Sequence, residues 1–259
     1  MIANRSRAAA LLLVMVSLAV ATSGCVTEEP KPDVSLDQAA LTNTQLGLEY
    51  MRQGDLRSAQ EKIEKALDQD PRTAQVQMAA GFLYDRLGEN AKAESHFEQA
   101  LKYSKNDPDV LNNFAVFLCR KGDKQRGVEY FLQAAQSPLY TTPAAAYTNA
   151  GYCALDAGRV ADAETYFRQA ISYPRGASGA LLPLARIYYE QGNNLQARAF
   201  LDRYLEVGPV DAGVLWLGYR IERAMGDTAR AQEYATRLKD DYATSVETRD
   251  LLRAEQGGQ

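Results

Sequence analysis

Apolar residues in this chain recur at spacings of three and four, not two. Tyr84 and Leu87 on one stretch, then Phe97 and Leu101 on the next, follow the i, i+3, i+4, i+7 rhythm of helices that bury one face. No run alternates long enough to make a strand, so the pattern predicts an all-α chain. The helical stretches are punctuated by Gly54, Gly88, Gly122, Gly158, Gly192 and Gly226, at steps of 34, 34, 36, 34 and 34 residues. Five residues after each glycine stand Ala59, Ala93, Gly127, Ala163, Ala197 and Ala231, and four further on Ile63, Phe97, Phe131, Phe167, Leu201 and Ala235. Seven residues before each glycine are Gly47, Gly81, Ala115, Gly151, Ala185 and Tyr219, with Ala66, Ala100, Ala134, Ala170, Tyr204 and Leu238 as partners on the following helix. Small residues at both places predict a close crossing of the two helices in each hairpin. A glycine at the turn supplies the left-handed residue that ends the first helix. Self-similarity at this period marks a repeat solenoid, in which each hairpin buries its apolar face against its neighbours and the curved face is free to bind.

The first unit, residues 40–73, carries Leu46-Gly47, Tyr50, Gly54, Ala59, Ile63, Ala66 and Pro71 in the signature positions of the tetratricopeptide repeat, which it resembles. The resemblance implies a right-handed superhelix of six helix-turn-helix units, 40–73, 74–107, 108–141, 144–177, 178–211 and 212–245, with a short C-terminal cap at 246–259. The last unit departs from the pattern at Tyr219, Ala235 and Leu238, as suits a terminal repeat that need not accept another hairpin. Pro71, Pro108, Pro143 and Pro209 fall between units, where proline stops one helix or opens the next. Pro183 falls inside the fifth first helix, which is therefore expected to begin late, near Ala180, or to bend; Pro174-Arg175-Gly176 predicts a longer loop before it. The two extra residues between units three and four belong to the loop around Tyr140-Thr141-Thr142-Pro143.

The amino terminus reads as a secretory signal over residues 1–24. Arg5 and Arg7 precede an apolar stretch from Ala8 to Ala21, too short to span a bilayer as a helix, and Ser23-Gly24 lead to Cys25. That ending resembles a bacterial lipobox, although Thr22 stands where the pattern prefers leucine. The resemblance implies that Cys25 becomes the first residue of the mature protein and carries lipid, palmitate included. An ordinary secreted protein with an unmodified Cys25 is the alternative. Residues 25–38 read as the lipidated cysteine and an extended, proline-bearing tether, with Ser35 and Gln38 as a capping box for the first helix. Val26, where resemblance to lipoproteins would place aspartate for inner-membrane retention, points to the periplasmic face of the outer membrane, with the lipid as the only membrane contact.

Charge narrows the partners. The chain of 259 residues carries a formal −4, and removal of Arg5 and Arg7 makes it −6, which argues against nucleic acid, since phosphate binding needs a basic face. His96 is the single histidine, so no triad or histidine metal site can be assembled, and it is expected at the surface or rim. The carboxylates are scattered, and the glycines stand singly at turns and make no phosphate loop. The expectation is therefore a protein without catalysis, cofactor, metal or small-molecule substrate. Cys119 and Cys153, on first helices of consecutive units, leave two readings open, a disulfide permitted by an oxidising periplasm or two small buried thiols.

In this repeat class the inner surface is lined by the first helix of each hairpin. Its positions between the ladders are Thr44, Leu48, Met51 and Arg52, then Met78, Phe82 and Asp85, then Asn112, Val116 and Arg120; the later units add Thr148, Tyr152, Arg186, Tyr189, Trp216 and Arg220. Leu48, Phe82, Val116 and Tyr152 occupy equivalent slots and make an apolar stripe, which either binds a partner or packs against the next helix. Arg186 and Arg220 continue the slot, so the groove turns cationic, suiting an extended ligand with an acidic end.

The wording Leu111-Asn112-Asn113-Phe114-Ala115 with Cys119, followed by Ala150-Gly151-Tyr152-Cys153, together with the lipoprotein signal and six repeats, resembles the PilF/PilW family of type IV pilus biogenesis lipoproteins. That resemblance implies a pilotin, which binds secretin subunits, carries them to the outer membrane and promotes their multimerisation. A tethered scaffold for cell-wall enzymes or barrel-assembly machinery is the alternative.

Overall fold

Thirteen α-helices make up the regular structure of the computed structural model, which describes residues 36–173 and 178–257. They are α1 (Leu36–Gln53), α2 (Leu56–Gln69), α3 (Ala74–Arg86), α4 (Asn90–Ser104), α5 (Pro108–Lys121), α6 (Lys124–Gln136), α7 (Pro143–Asp156), α8 (Val160–Ile171), α9 (Ser178–Glu190), α10 (Asn194–Leu205), α11 (Ala212–Met225), α12 (Thr228–Asp241) and α13 (Val246–Gly257). The signal segment 1–24, Cys25, the tether up to Ser35, the Pro174-Arg175-Gly176 loop and the last two residues lie outside the described residues. Each odd-numbered helix from α1 to α11 pairs with the next as a hairpin, and hairpins pack in chain order, giving the superhelical fold of tetratricopeptide repeats.

The turns explain the register. All six turn glycines have positive φ, for example +82° at Gly54 and +110° at Gly122. In four turns the next residue caps the second helix with its side chain: Asp55 accepts from Ser58 N, Asp123 from Arg126 N, Asn193 from Gln196 N and Asp227 from Arg230 N. A left-handed glycine and a capping oxygen in consecutive positions reverse the chain and satisfy an orphan helix donor.

Where the helices of a hairpin cross, large meets absent. A Cβ on Gly47 would stand 2.5 Å from Ile63 Cγ1, and one on Gly151 the same distance from the Phe167 ring. Phe97, Phe131 and Phe167 are wholly enclosed, each contributing about 2–3 kcal/mol of transfer free energy. Unit six keeps this device but slips it by one residue: Gly218 lies under the Tyr234 ring, with a hypothetical Cβ 2.6 Å away, while Tyr219 packs beside Ala235. In unit five Tyr204, where most units have alanine, reaches into the following loop and donates from its hydroxyl to Pro209 O at 3.0 Å.

Two boundaries differ from expectation. The first helix begins at Leu36, so the last residues assigned to the tether are helical. The fifth unit's first helix is described from Ser178, two residues ahead of Ala180, and runs through Pro183. Proline has no N–H for the carbonyl four residues earlier, and that carbonyl, Gly179 O, accepts instead from the Tyr152 hydroxyl of the neighbouring unit at 3.1 Å. The chain closes with α13, whose buried Leu251 packs onto Leu215 and Leu238 and whose Thr248 hydroxyl lies 2.8 Å from Tyr242 O.

Candidate functional site

Side chains between the packing ladders of α1, α3, α5, α7, α9 and α11 are free to face outward. Of the equivalent apolar slots, Leu48 is 38% exposed, Val116 42% and Tyr152 47%, while Phe82 is half-buried. The stripe is fixed from beneath: Phe82 sits edge-on to Phe97 at 5.4 Å and Tyr152 edge-on to Phe167 at 5.2 Å, both at 80°. The aromatic ladder that locks each hairpin thus also sets the angle of the surface ring above it. Thr44 and Met51 do not belong to this surface. Both are buried, and the Thr44 hydroxyl donates back to Ala40 O at 2.8 Å, a helix-internal bond open to threonine.

The polar residues on the face divide into paired and unpaired. Asp85 forms an ion pair with Arg120 across units two and three. Asn149 donates to Asn112 Oδ1 at 3.3 Å, and Asn113 Nδ2 lies 3.7 Å from the half-buried Met78 sulfur. Arg186 is exposed and has no ion pair or hydrogen bond among the described residues. Arg220 lies with its guanidinium carbon 4.7 Å from the centre of the Tyr189 ring and 5.6 Å from that of Trp216.

Three concavities lie around units four and five. One of about 820 Å³ is bordered by Tyr140, Thr142, Thr148, Asn149 and Tyr173; others of about 440 and 250 Å³ share Tyr152 and Leu182. Sequence spacing identified Tyr152 but not Leu182 or the Tyr140 loop, which lie where unit spacing lengthens to 36 and where Pro183 interrupts the repeat pattern. Those two irregularities were the available signal.

Lateral contacts between units use a different fastener at each boundary. Tyr188 donates to Glu164 Oε1 at 2.6 Å and accepts from Arg168 at 2.7 Å. Arg126 and Lys121 close on Glu94; the Lys121 hydrogen bond, with Arg126 beside it, holds that carboxyl below the usual range. Glu222, 1% exposed, receives Arg198 through two N–H groups and Arg230 at 3.3 Å. Between units three and four the fastener is covalent: Cys119 and Cys153 are joined, with Cα atoms 5.8 Å apart. Gly127 replaces the alanine of other units there because a Cβ would meet the Cys119 sulfur at 2.3 Å.

His96 is half-buried, stacked 5.2 Å from Tyr84 with Nδ1 2.7 Å from Gln77 Oε1; burial, helped by Lys92, lowers its pKa. Among the described residues no group of histidine, cysteine, aspartate or glutamate is arranged to hold a metal, and no helix is long and apolar enough to cross a membrane.

Comparison with known proteins agrees with this geometry. Tetratricopeptide repeat profiles match residues 44–110, 79–141, 118–180 and 154–215. The type IV pilus assembly protein PilF of Pseudomonas aeruginosa is 29% identical over 238 residues, 90% of this chain and 94% of that protein. The solved structure from the functional characterisation of Pseudomonas aeruginosa PilF superposes with a TM-score of 0.73 at 27% identity, covering 85% of this chain and 99% of that one. The crystal structure of PilW, described as a widely conserved type IV pilus biogenesis factor, gives 0.70 at 32% identity, over 83% and 99%.

Proposed function

Because the chain belongs to the PilF/PilW family of tetratricopeptide-repeat proteins of type IV pilus biogenesis, we propose that it works as a pilotin: a non-catalytic, lipid-anchored protein of the outer membrane that holds secretin subunits and promotes their localisation and multimerisation. The observation that carries this reading is the whole-length likeness. The alignment spans 90% of this chain and 94% of PilF, and the superposition covers 99% of the solved PilW chain.

The mechanism is mechanical. A segment of the secretin subunit lies along the outward face of the first helices of the hairpins, while lipid on Cys25 directs the pair to the membrane. Each buried methylene of an acyl chain contributes about 0.8 kcal/mol, so one chain binds marginally and several bind stably. The Ser23-Gly24-Cys25 ending supports lipidation, and the net negative charge supports a protein partner over a nucleic acid.

Detergent extraction followed by co-purification tests the partner, and Cys25→Ser tests the delivery. The variant should still bind secretin, while secretin multimers reach the wrong membrane or fail to form. Normal multimers in that variant would refute lipid-directed delivery. Recovery of a cell-wall hydrolase in place of secretin would refute the partner.

A further inference from the structure

The outward face changes character between units four and six. At the slot six residues before the turn glycine, the apolar series ends at Tyr152 and continues as Arg186 and Arg220. These two arginines differ from their neighbours on the fastener side of the units. Arg198 and Arg230 are saturated by Glu222, Asp227 and Asp202, whereas neither Arg186 nor Arg220 has a carboxylate partner among the described residues.

Arg220 is held in place all the same. Its guanidinium lies against Tyr189 and Trp216, and Trp216 is itself stacked on Tyr219 at 5.3 Å and 12°. Its Nε is buried without a hydrogen-bond partner. Aromatic faces stabilise the positive charge but accept no strong hydrogen bonds, so the fork is positioned and its donors are unmet. A carboxylate is the partner whose geometry fits such a fork. Between α7 and α9 lies the concavity of about 440 Å³, lined by Tyr152, Leu155, Leu182 and Ile187 together with Arg186 and Glu190. Its apolar lining suits an apolar side chain, with room to spare.

The geometry points to a two-part docking site in units four to six for an extended acidic segment of the partner protein: one apolar side chain enters the Tyr152–Leu182 pocket, and side-chain carboxylates pair with Arg186 and Arg220. This rests on the reading that the partner lies along the outward face of the first helices. Neighbouring packed helices stand about 10 Å apart, and an extended chain advances about 3.3 Å per residue, so the two acidic residues are about three positions apart.

The only tryptophan of the 259 residues is Trp216, which makes the site self-reporting. The test titrates the full-length chain, purified in detergent, with a synthetic peptide of leucines followed by Asp and Glu residues, and in parallel with its Asn and Gln counterpart. The acidic peptide should change Trp216 emission saturably, and its affinity should fall as salt is raised. The neutral peptide should bind at least about tenfold more weakly, and Arg186→Gln or Arg220→Gln should each weaken the acidic peptide about tenfold, the scale of a lost charge-assisted hydrogen bond. Arg186 is exposed, so its variant keeps the test valid if Arg220→Gln misfolds. Equal affinity for both peptides, or unchanged affinity in Arg186→Gln, overturns the site. If that happens while secretin still co-purifies, the pilotin reading stands without this site. If the peptide behaves as expected but secretin never co-purifies, the site stands and the pilotin reading fails.

Discussion

At Gly151 a Cβ would stand 2.5 Å from a Phe167 ring atom that is packed on every side, whereas at Gly158 it would meet nothing within 4 Å but would have to adopt a φ of +72°. The two glycines are therefore required for different reasons. Gly151→Ala should destabilise the protein by about 1–3 kcal/mol through overpacking, and Gly158→Ala by about 1 kcal/mol through backbone strain. Urea denaturation of the two variants measures both. These ladders were legible in the sequence because a glycine or alanine recurring every 34 residues has few other uses. The slip in unit six was not: Gly218 and Tyr234 carry out the crossing one residue early, and Tyr219 and Ala235 in the nominal slots read only as an irregularity. His96 gives a second test at this scale. Its pKa is lowered by burial and by Lys92, so the unfolded chain binds its proton more readily. Its contribution is fully present above the ordinary histidine value of about 6.5 and declines as pH falls below it. Stability of the wild type should show that decline on mild acidification, and His96→Gln should lack it.

Helices of this length are marginal alone, so each element depends on what joins it to the next unit. Three of the fasteners described above are polar, a fourth polar one has the Tyr84 hydroxyl donating to Glu64 Oε1 at 3.4 Å between units one and two, and one is a disulfide. Glu222→Ala should cost about 2–3 kcal/mol, because it leaves two arginine side chains without their shared acceptor. Closing the 34-residue loop between Cys119 and Cys153 contributes about 3–4 kcal/mol in the chain-entropy account, so Cys153→Ser should lower the urea midpoint markedly. Mass spectrometry of a non-reduced digest checks the linkage itself. Sequence spacing placed the two cysteines on adjacent first helices but could not choose between bridge and thiols, since that depends on a Cα separation. It also gave no account of how α9 accommodates Pro183. Proline inside a helix normally costs about 3 kcal/mol, and the Tyr152 hydroxyl that serves the freed Gly179 carbonyl comes from another unit, where no local pattern reveals it.

Across the whole chain, repetition makes the fold legible and the partner obscure. The period dictates hairpins and an outward face on the first helices, and of the residues expected there Thr44 and Met51 are buried. A slot names a position and not its occupant, so the partner rests on likeness to PilF and PilW and the anchor on the residues around Cys25. The central claim, that secretin lies along the outward face of the first helices, is tested most directly by site-specific photo-crosslinking in cells. A crosslinking residue at Val116, exposed on α5, should capture secretin, while one at Leu195, exposed on α10, should not. Capture from Leu195 with none from Val116 would contradict the account.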